Sequence, residues 1–520
     1  MSSLDISLIL VYLGVVFAIA IRVGRGQKTD REYYLADGRL SWWSSGLSVM
    51  ATQTSAISFI SIPAFVALKP DGGLRFIQYE FALPLAMLAA MLVIFPTLGR
   101  AGVVSIYEYL EQRYDAGVRR LLSAVFLLSR GLATGVMVYA TGIVLSAIVD
   151  LPFWATLLII GGGAVLQDMA GGIKAVVYTD VVQLLVLVVG LVFSIVVGLQ
   201  LVGGWSVVQE TVAPERWITL TPALGIGDDS TTPLWGFLIG GFFLYLSYYA
   251  TDQSQAQRVL AAGSRIRINR ALLLNGLARF PLMLLYLFLG LVLAALVATT
   301  PELAERLSQG RLDSLVPEFV TGYLPEGIRA LLIAALLSAA MSSLDSALNA
   351  LSAATARDFL ERAHKPLSIS ANRLVTLGWG LLVTGFAFIV GNIADTVIEA
   401  INKIGSAFYG PVLAAFTAGI LLPRITPTGI KFGVAAGVTV NLILWLAAPQ
   451  VNWMWWNACG FFVAILTAWS MAAAGTGERR VALATLRDDW ASIRPHAVML
   501  VGWFVIILVA AMALPLLRDL

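Results

Sequence analysis

Charged residues are scarce in this sequence. They make up 12% of the 520 residues, whereas soluble domains carry about 25%. Hydrophobic residues make up 59% and fall into runs of roughly 18 to 28, long enough to cross a hydrocarbon core of about 30 Å as helices. The scarcity of charge therefore argues against a soluble protein. We expect an all-α polytopic membrane protein whose partners include the lipid bilayer.

Cysteine and histidine are almost absent as well. Cys459 is the single cysteine, so no intramolecular disulfide can form. His364 and His496 stand apart from each other, with no second ligand at metal-binding spacing. No spans carry paired catalytic Asp, a His cluster or a Ser with a basic partner, and the net charge of +3 is dispersed. We therefore expect neither an enzyme nor a nucleic-acid partner.

Apolar runs bounded by charge, Gly or Pro predict about 14 spans. The predicted spans are 4–22, 44–68, 76–98, 119–148, 152–170, 175–202, 234–262, 270–298, 327–356, 370–396, 403–422, 429–447, 453–473 and 495–515. The first run lacks a basic stretch before it and a cleavage site after it, so we expect it to stay as a spanning helix.

Basic residues predict the orientation. The loops after odd-numbered spans hold about 24 of them, against about 8 on the other side, and basic residues resist translocation. Examples are Arg22, Arg113, Arg265, Arg357 and Arg487. We therefore expect both termini to be external, in a cell membrane that we take to be a bacterial inner membrane. The acidic external loop 203–233 fits this orientation.

Polar residues interrupt two spans near mid-membrane. The second span reads ATQTSAIS over residues 51–58, and the seventh reads SYYATDQ over residues 247–253. Each interrupted span opens a group of five, and the two groups would enter from opposite sides, as in transporters built from inverted repeats with broken first helices. The alternative is that these hydroxyls bond to the preceding turn or join neighbouring helices.

The ninth span carries a polar stripe. Its members recur at three and four residues and share one helix face. They are Ser338, Ser342, Asp345 and Asn349, flanked by Ser343 and Ser346. Hydroxyl and carboxylate oxygens suit a hard cation such as sodium, although a seam packed against another helix is the alternative. For Asp180, at the start of the sixth span, the alternative is a solvated helix-end carboxylate.

These segments together resemble the sodium:solute symporter family. The resemblance is carried by GGIKAVVYTD over residues 171–180 with Gln183, TDQ over 251–253 with Gln257 and Arg258, SSLDS over 342–346, and SIYEYL over 105–110 with Arg113. It implies a leucine-transporter-like 5+5 inverted-repeat core. Residues 1–43 would form a leading transmembrane helix and cytoplasmic loop, 44–202 the first repeat, 203–233 an external loop, 234–422 the second repeat, and 423–520 three further transmembrane helices.

The resemblance also implies site residues. One sodium site would be formed by Ala51, Thr54, Ala339, Ser342 and Ser343. A possible second site would use Asp180, Asp345 and Ser346 together with Ser342, with Asp345 in place of a hydroxyl. The solute ligands would be Gln53, Ser58, Gln78, Glu80, Tyr249, Asp252, Arg279 and Lys403.

Those solute ligands leave the substrate open. Glu80 and Asp252 favour a sugar, because carboxylates accept hydrogen bonds from vicinal hydroxyls, whereas Arg279 and Lys403 favour an anion. Alternatively, Arg279 pairs internally, Lys403 lies at the external interface, and Gln78 binds Glu80.

The expected function is sodium-coupled symport of a small organic solute by alternating access, with sodium as the coupling ion. The solute would be a sugar, sialic acid, a carboxylate or an amino acid. Proton coupling through Asp180 or Asp345 is the first alternative. A membrane solute sensor or channel of the same fold is the second.

Overall fold

The computed structural model describes residues 2–519 except 26, 28, 229, 309–311, 362–366, 390–396 and 473–479. His364 and the last residues of the tenth and thirteenth predicted spans lie outside the described residues. The helices are α1 (Ser3–Gly24), α2 (Asp30–Leu35), α3 (Trp42–Gln53), α4 (Ala56–Leu68), α5 (Leu83–Ala89), α6 (Phe95–Ala101), α7 (Glu108–Arg113), α8 (Ala116–Val149), α9 (Phe153–Val202), α10 (Trp205–Thr211), α11 (Gly241–Thr251), α12 (Gln253–Leu260), α13 (Arg265–Thr299), α14 (Pro301–Ser308), α15 (Leu315–Gly322), α16 (Ile328–Thr355), α17 (Ile369–Ala387), α18 (Val397–Leu421), α19 (Pro427–Ala447), α20 (Met454–Ser470) and α21 (Arg480–Ala513).

The described residues form helices and no strand. Within them, 9 helical stretches are long and apolar enough to cross a membrane, or up to 10 if the bent pair α3 and α4 forms one span. Short 3₁₀ or π segments extend several helices, for example Gly73–Glu80 before α5 and Gly236–Gly240 before α11. The expectation of an all-α protein that crosses the membrane several times is confirmed.

Both predicted interruptions are breaks in helices. Thr54 and Ser55 separate α3 from α4, and the two helix axes are bent by 56°. Asp252 alone separates α11 from α12, with an extended backbone at φ −92° and ψ 124°. Its carboxylate accepts a 2.8 Å hydrogen bond from the backbone N–H of Ser254 and so caps α12. The polar residues therefore provide the hydrogen bonds that an interrupted helix loses.

A third break lies inside α9. Gly172 has φ 54° and ψ −157°, which divides this 50-residue helical stretch between the fifth and sixth predicted spans. A Cβ atom at this position would lie 2.5 Å from the carbonyl oxygen of Tyr33. Both the backbone conformation and the close approach therefore require glycine.

Gly172→Ala is expected to destabilise the fold by about 1–3 kcal/mol, the usual cost of a residue held in an unfavourable backbone conformation. Gly162→Ala is the matched control, because it lies in the same helical stretch with no atom within 4 Å of the added Cβ. Thermal unfolding in detergent measures both. Equal midpoints for the two variants would contradict the assigned break.

Four of the loop regions that follow odd-numbered predicted spans contact one another, in their described residues, on one face of the bundle. The Gln27 side-chain amide donates a 2.7 Å hydrogen bond to the Gly171 carbonyl oxygen, which joins the first and fifth loops. Arg119 donates a 2.7 Å hydrogen bond from Nε to Asp358 at the end of the α16 region. Arg357 also donates a hydrogen bond to Asp30, so the first, third, fifth and ninth loop regions are joined on that face.

The opposite face carries the start of α1, the start of α16 and the loops at 203–233 and 448–453. Arg329, near the start of α16, donates a 3.0 Å hydrogen bond to the buried Asp5 carboxylate near the start of α1. The backbone N–H of Gly227 donates a 3.0 Å hydrogen bond to the Gln450 carbonyl oxygen. The loop at 203–233 and the loop at 448–453 are therefore joined.

Helix α16 lies in the middle of the bundle. Every residue from 332 to 354 is buried, including the polar stripe found in the sequence. Its neighbours include α1, α3, α8, α9, α12 and α17. A helix buried on all sides brings its polar residues against other helices rather than lipid.

Candidate functional site

The break between α3 and α4 meets α16 at a set of buried oxygen-bearing residues. Ala51, Thr54, Ala339, Ser342 and Ser343 are each at most 3% exposed. The Ser343 hydroxyl donates a 3.4 Å hydrogen bond to the Thr52 carbonyl oxygen at the end of α3. Carbonyl and hydroxyl oxygens without a carboxylate fit a monovalent hard cation. The structure thus brings together the two segments that the sequence assigned to the first sodium site.

The Ser342 hydroxyl is directed to Asp180. It donates a hydrogen bond to one carboxylate oxygen, while Ser48 donates to the other. Asp180 is fully buried inside α9, so the alternative of a solvated helix-end carboxylate is wrong. This carboxylate joins α3, α9 and α16.

Arg258 supplies a positive charge beside Asp180. Its Nε lies 3.6 Å from the Asp180 carboxylate and donates a 3.1 Å hydrogen bond to the Ser48 hydroxyl. Its guanidinium also donates to the Ser346 hydroxyl and to the Ser254 carbonyl oxygen. This arginine therefore links α12 to the helices that carry Asp180 and the polar stripe.

Arg258 belongs to a motif that carries the family resemblance, but no site was expected to include it. The residue lies inside the seventh predicted span, 234–262, where a charged side chain calls for a partner or a cavity. That position in the span was the signal that could have identified it.

The possible second sodium site contains this arginine. Asp180, Ser342 and Ser346 are brought together, and the Thr52 hydroxyl lies 3.0 Å from that of Ser346. Among the described residues, neither carboxylate oxygen of the buried Asp345 has a hydrogen-bond partner. Arg258 therefore already provides a cation between two of the four assigned ligands, and a second sodium ion there stays a prediction.

A central cavity of about 110 Å³ lies beside the segments that the sequence assigned to the first sodium site. Ser343 lines it, so the cavity and the assigned sodium ligands are adjacent. The other polar or aromatic lining residues include Thr52, Gln53, Ser55, Ser58, Phe76, Tyr79, Arg130, Thr134, Tyr248, Arg279, Asn402 and Tyr409. Hydroxyl, amide and guanidinium groups around one space suit a small polar solute.

Three of the assigned solute ligands, Gln53, Ser58 and Arg279, line the central cavity. Tyr249 lies behind it and donates a hydrogen bond to the Gln53 side chain. Arg279 donates a 3.2 Å hydrogen bond to Glu80 and a 2.7 Å hydrogen bond to the Thr54 hydroxyl. Arg279 therefore pairs internally, as the alternative interpretation held.

The remaining assigned solute ligands do not line the cavity. Gln78 donates a 2.8 Å hydrogen bond to the Thr232 carbonyl oxygen and accepts one of 3.1 Å from the Thr221 N–H. It thus holds the 203–233 loop rather than binding Glu80. Asp252 caps α12, and Lys403 lines a separate cavity.

Arg130 is a cavity residue that sequence analysis missed. It projects from α8, its side chain is 12% exposed, and its Nη1 lies 3.9 Å from the Asp252 carboxylate. Its Nε is buried without a hydrogen-bond partner among the described residues. An arginine near the middle of an apolar span marks a functional position, and that signal was present in the sequence.

Comparison with known proteins decides the family. The model of the sodium:solute symporter family matches residues 33–437. This chain belongs to that family. It is therefore a sodium-coupled solute symporter, with sodium as its coupling ion.

Individual relatives agree with this assignment. The chain is 27% identical to the sodium/sialic acid symporter NanT of Aliivibrio fischeri, over 89% of this chain and 91% of the relative. It is 30% identical to the sodium-dependent multivitamin transporter of Oryctolagus cuniculus, over 84% of this chain and 69% of the relative. The fold is similar to a solved substrate-bound, outward-open Na⁺-coupled sialic acid symporter, with a TM-score of 0.80 and 23% identity over 92% of this chain and 99% of that one.

Proposed function

We propose that this symporter carries a small organic solute bearing a carboxylate, which Arg130 binds in the central cavity. The observation that carries the proposal is the guanidinium of Arg130, which lines the cavity with a buried Nε that lacks a partner among the described residues. A guanidinium binds a carboxylate through two parallel hydrogen bonds. The name of the sialic acid symporter among the relatives supports the same solute class.

The two arginines that line the cavity differ in their partners. Arg279 is held by Glu80 at 3.2 Å and by Thr54. Arg130 has the more distant Asp252, whose Oδ2 lies 3.9 Å from its Nη1, while Oδ1 of the same carboxylate accepts hydrogen bonds from the N–H and hydroxyl of Ser254. The positive charge of Arg130 is therefore less compensated, and a solute carboxylate would complete its coordination.

The proposal includes the full topology of about 14 spans with a 5+5 inverted-repeat core. The domain boundaries are those expected from the sequence, with the repeats at 44–202 and 234–422. The matched breaks after α3 and α11 support the repeats, and the breaks at the start of each group suit alternating access. The contacts among loops on each face support the placement of successive loops on opposite faces, with one membrane crossing for each predicted span.

We also propose a bacterial inner-membrane location with both termini external. The excess of basic residues in the odd-numbered loops supports this orientation. The contact between Asp5 and Arg329 supports it as well, since it puts the N-termini of α1 and α16 on the same face. The 203–233 loop would lie on that external face.

In the proposed coupling, sodium ties the break after α3 to α16 and favours the outward-open state. The ligands would be the carbonyl oxygens of Ala51, Thr54 and Ala339 and the hydroxyls of Ser342 and Ser343. Coupling requires that sodium bind one state more tightly than the other. Separation of the two helices on inward opening would release sodium and then the solute.

Ser343→Ala is expected to raise the sodium concentration for half-maximal uptake about tenfold, because a hydrogen bond or ligand to a charged group contributes about 1.5–3 kcal/mol. Ser338→Ala is the matched control on the same helix, since its hydroxyl bonds to Tyr12 of α1 and to the Ala334 carbonyl oxygen. Uptake into proteoliposomes across imposed sodium gradients measures both. An unchanged half-saturation in Ser343→Ala would contradict the site.

Proton coupling is the second candidate, because Asp345 favours it. A buried carboxylate without a partner has to be neutralised by a proton or another cation. Asp168 and Asp180 are buried nearby, and the guanidinium of Arg258 lies beside Asp180. Solute uptake that responds to an imposed pH gradient at a constant sodium gradient would support proton coupling in addition to sodium coupling.

A further inference from the structure

A second cavity of about 390 Å³ lies between the 203–233 loop and the loop at 448–453. The end of α4 contributes Lys69, and α18 contributes Lys403. Trp445 and Trp456 form another side and stack on each other, with ring centroids 5.6 Å apart. Two cationic side chains and two indole rings thus share one space.

Hydrogen bonds between the two loops shape this second cavity. The backbone N–H of Asn452 donates a 2.8 Å hydrogen bond to the Gly225 carbonyl oxygen, and its side chain donates to the carbonyl oxygen of Ser230 at 3.3 Å. The Trp455 indole donates a 2.7 Å hydrogen bond to the Leu224 carbonyl oxygen. The lining is therefore a built surface.

The charged and indole side chains among the described lining residues of the second cavity are mainly donors. Trp456 is 3% exposed, and its indole Nε1 has no hydrogen-bond partner among the described residues. Lys403 forms no ion pair with the carboxylates of the described residues. Among the described residues that line it, Asp228 is acidic, and its carboxylate accepts hydrogen bonds from the backbone N–H groups of Leu224, Gly225 and Ser230.

We propose that the second cavity is an antechamber that binds the carboxylate of the solute before the solute enters the central cavity. The antechamber would hold the anion with Lys69, Lys403 and the Trp456 indole, since all three are donors. This role rests on the proposed function, because it assumes that the transported solute is an anion.

The two cavities are close neighbours. Asn402 lines the central cavity, and the next residue, Lys403, lines the second. Tyr79 lines the central cavity and lies 6.4 Å, ring to ring, from Trp453, which lines the second. A solute leaving the antechamber would therefore pass this aromatic pair. The positive lining would also raise the local concentration of an anionic solute.

Iodide quenching of tryptophan fluorescence tests the anion site without knowledge of the solute. Sodium iodide replaces sodium chloride at constant total salt, with purified full-length protein. We expect a saturable component of quenching that disappears in Lys403→Gln and in the Lys69→Gln/Lys403→Gln double variant. Lys174→Gln is the matched control, because it removes the same charge from an exposed position. Purely linear quenching in the unmodified protein, or an unchanged saturable component in the double variant, would overturn the site.

Uptake measurements test the antechamber role. With labelled sialic acid and lactate as probes, Lys403→Gln is expected to raise the KM about tenfold at an unchanged kcat, the lower end of electrostatic steering effects. An unchanged KM despite the loss of saturable quenching would mean that the cavity binds only inorganic anions, and would overturn the role. Failure of the proposed function appears separately, as absent carboxylate uptake in the unmodified protein with saturable iodide quenching retained.

Discussion

Arg130→Gln is expected to reduce sodium-driven uptake of a carboxylate solute about 100-fold, which corresponds to about 2.7 kcal/mol. The substitution removes the guanidinium that faces the central cavity and leaves the solute carboxylate without its bidentate partner. Arg130→Lys should retain part of the uptake, because it keeps the charge but loses the fork of parallel donors. Initial uptake rates into proteoliposomes at a fixed sodium gradient measure the effect.

Arg120→Gln is the matched control for Arg130. It removes an arginine from the same helix, α8, at an exposed position away from the cavity. Thermal unfolding establishes that each variant is folded. Uptake in Arg130→Gln equal to that in Arg120→Gln would show that the solute carboxylate binds elsewhere, and would return Arg279 as the candidate.

Arg258→Gln is expected to destabilise the protein by about 3–5 kcal/mol, because it removes one partner of a buried ion pair and leaves the other charge uncompensated. Arg258 and Asp180 are both fully buried. The arginine also donates to the hydroxyls of Ser48 and Ser346, so its loss affects the contacts among α3, α9, α12 and α16. The thermal unfolding midpoint in detergent is the measurement.

Two comparisons separate this effect from a general loss of charge. Arg39→Gln removes an arginine whose side chain is 82% exposed, and should leave the midpoint nearly unchanged. Asp180→Asn combined with Arg258→Gln should recover part of the stability, since neither charge then stays unpaired. A loss of stability in the double variant equal to or larger than the sum of the losses in the two single variants would contradict the pairing.

The breaks in the core helices could be predicted from the sequence. Polar residues at 51–58 and 247–253 stood in apolar surroundings, and the structure has its breaks at residues 54–55 and at Asp252. The stripe on α16 could be predicted too, because helical spacing fixes which residues share a face. The same spacing did not reveal that Ser342 bonds to Asp180, because the rotation of one helix against another depends on packing.

Assignment of the solute ligands was less successful. Gln78 binds the 203–233 loop, and Lys403 lines the second cavity. Neither position could be predicted, because the periodicity of the spans does not define how the loops fold over the helix ends. Arg130 was missed although a charged residue in an apolar span is a strong signal. It lies in the fourth predicted span, whereas the solute ligands implied by the resemblance lie in the second, third, seventh, eighth and eleventh.

The buried position of α16 has a consequence for how this protein is made. Asp345 would cost about 2.5–3.5 kcal/mol at the centre of a bilayer, and the stripe of serines adds further polar surface. Helices α3, α9 and α12, which pack against α16, all precede it in the chain. Among the neighbours of α16 named above, α17 alone follows it in the chain, so most of the helices that cover its polar stripe have already been synthesised when α16 emerges from the ribosome.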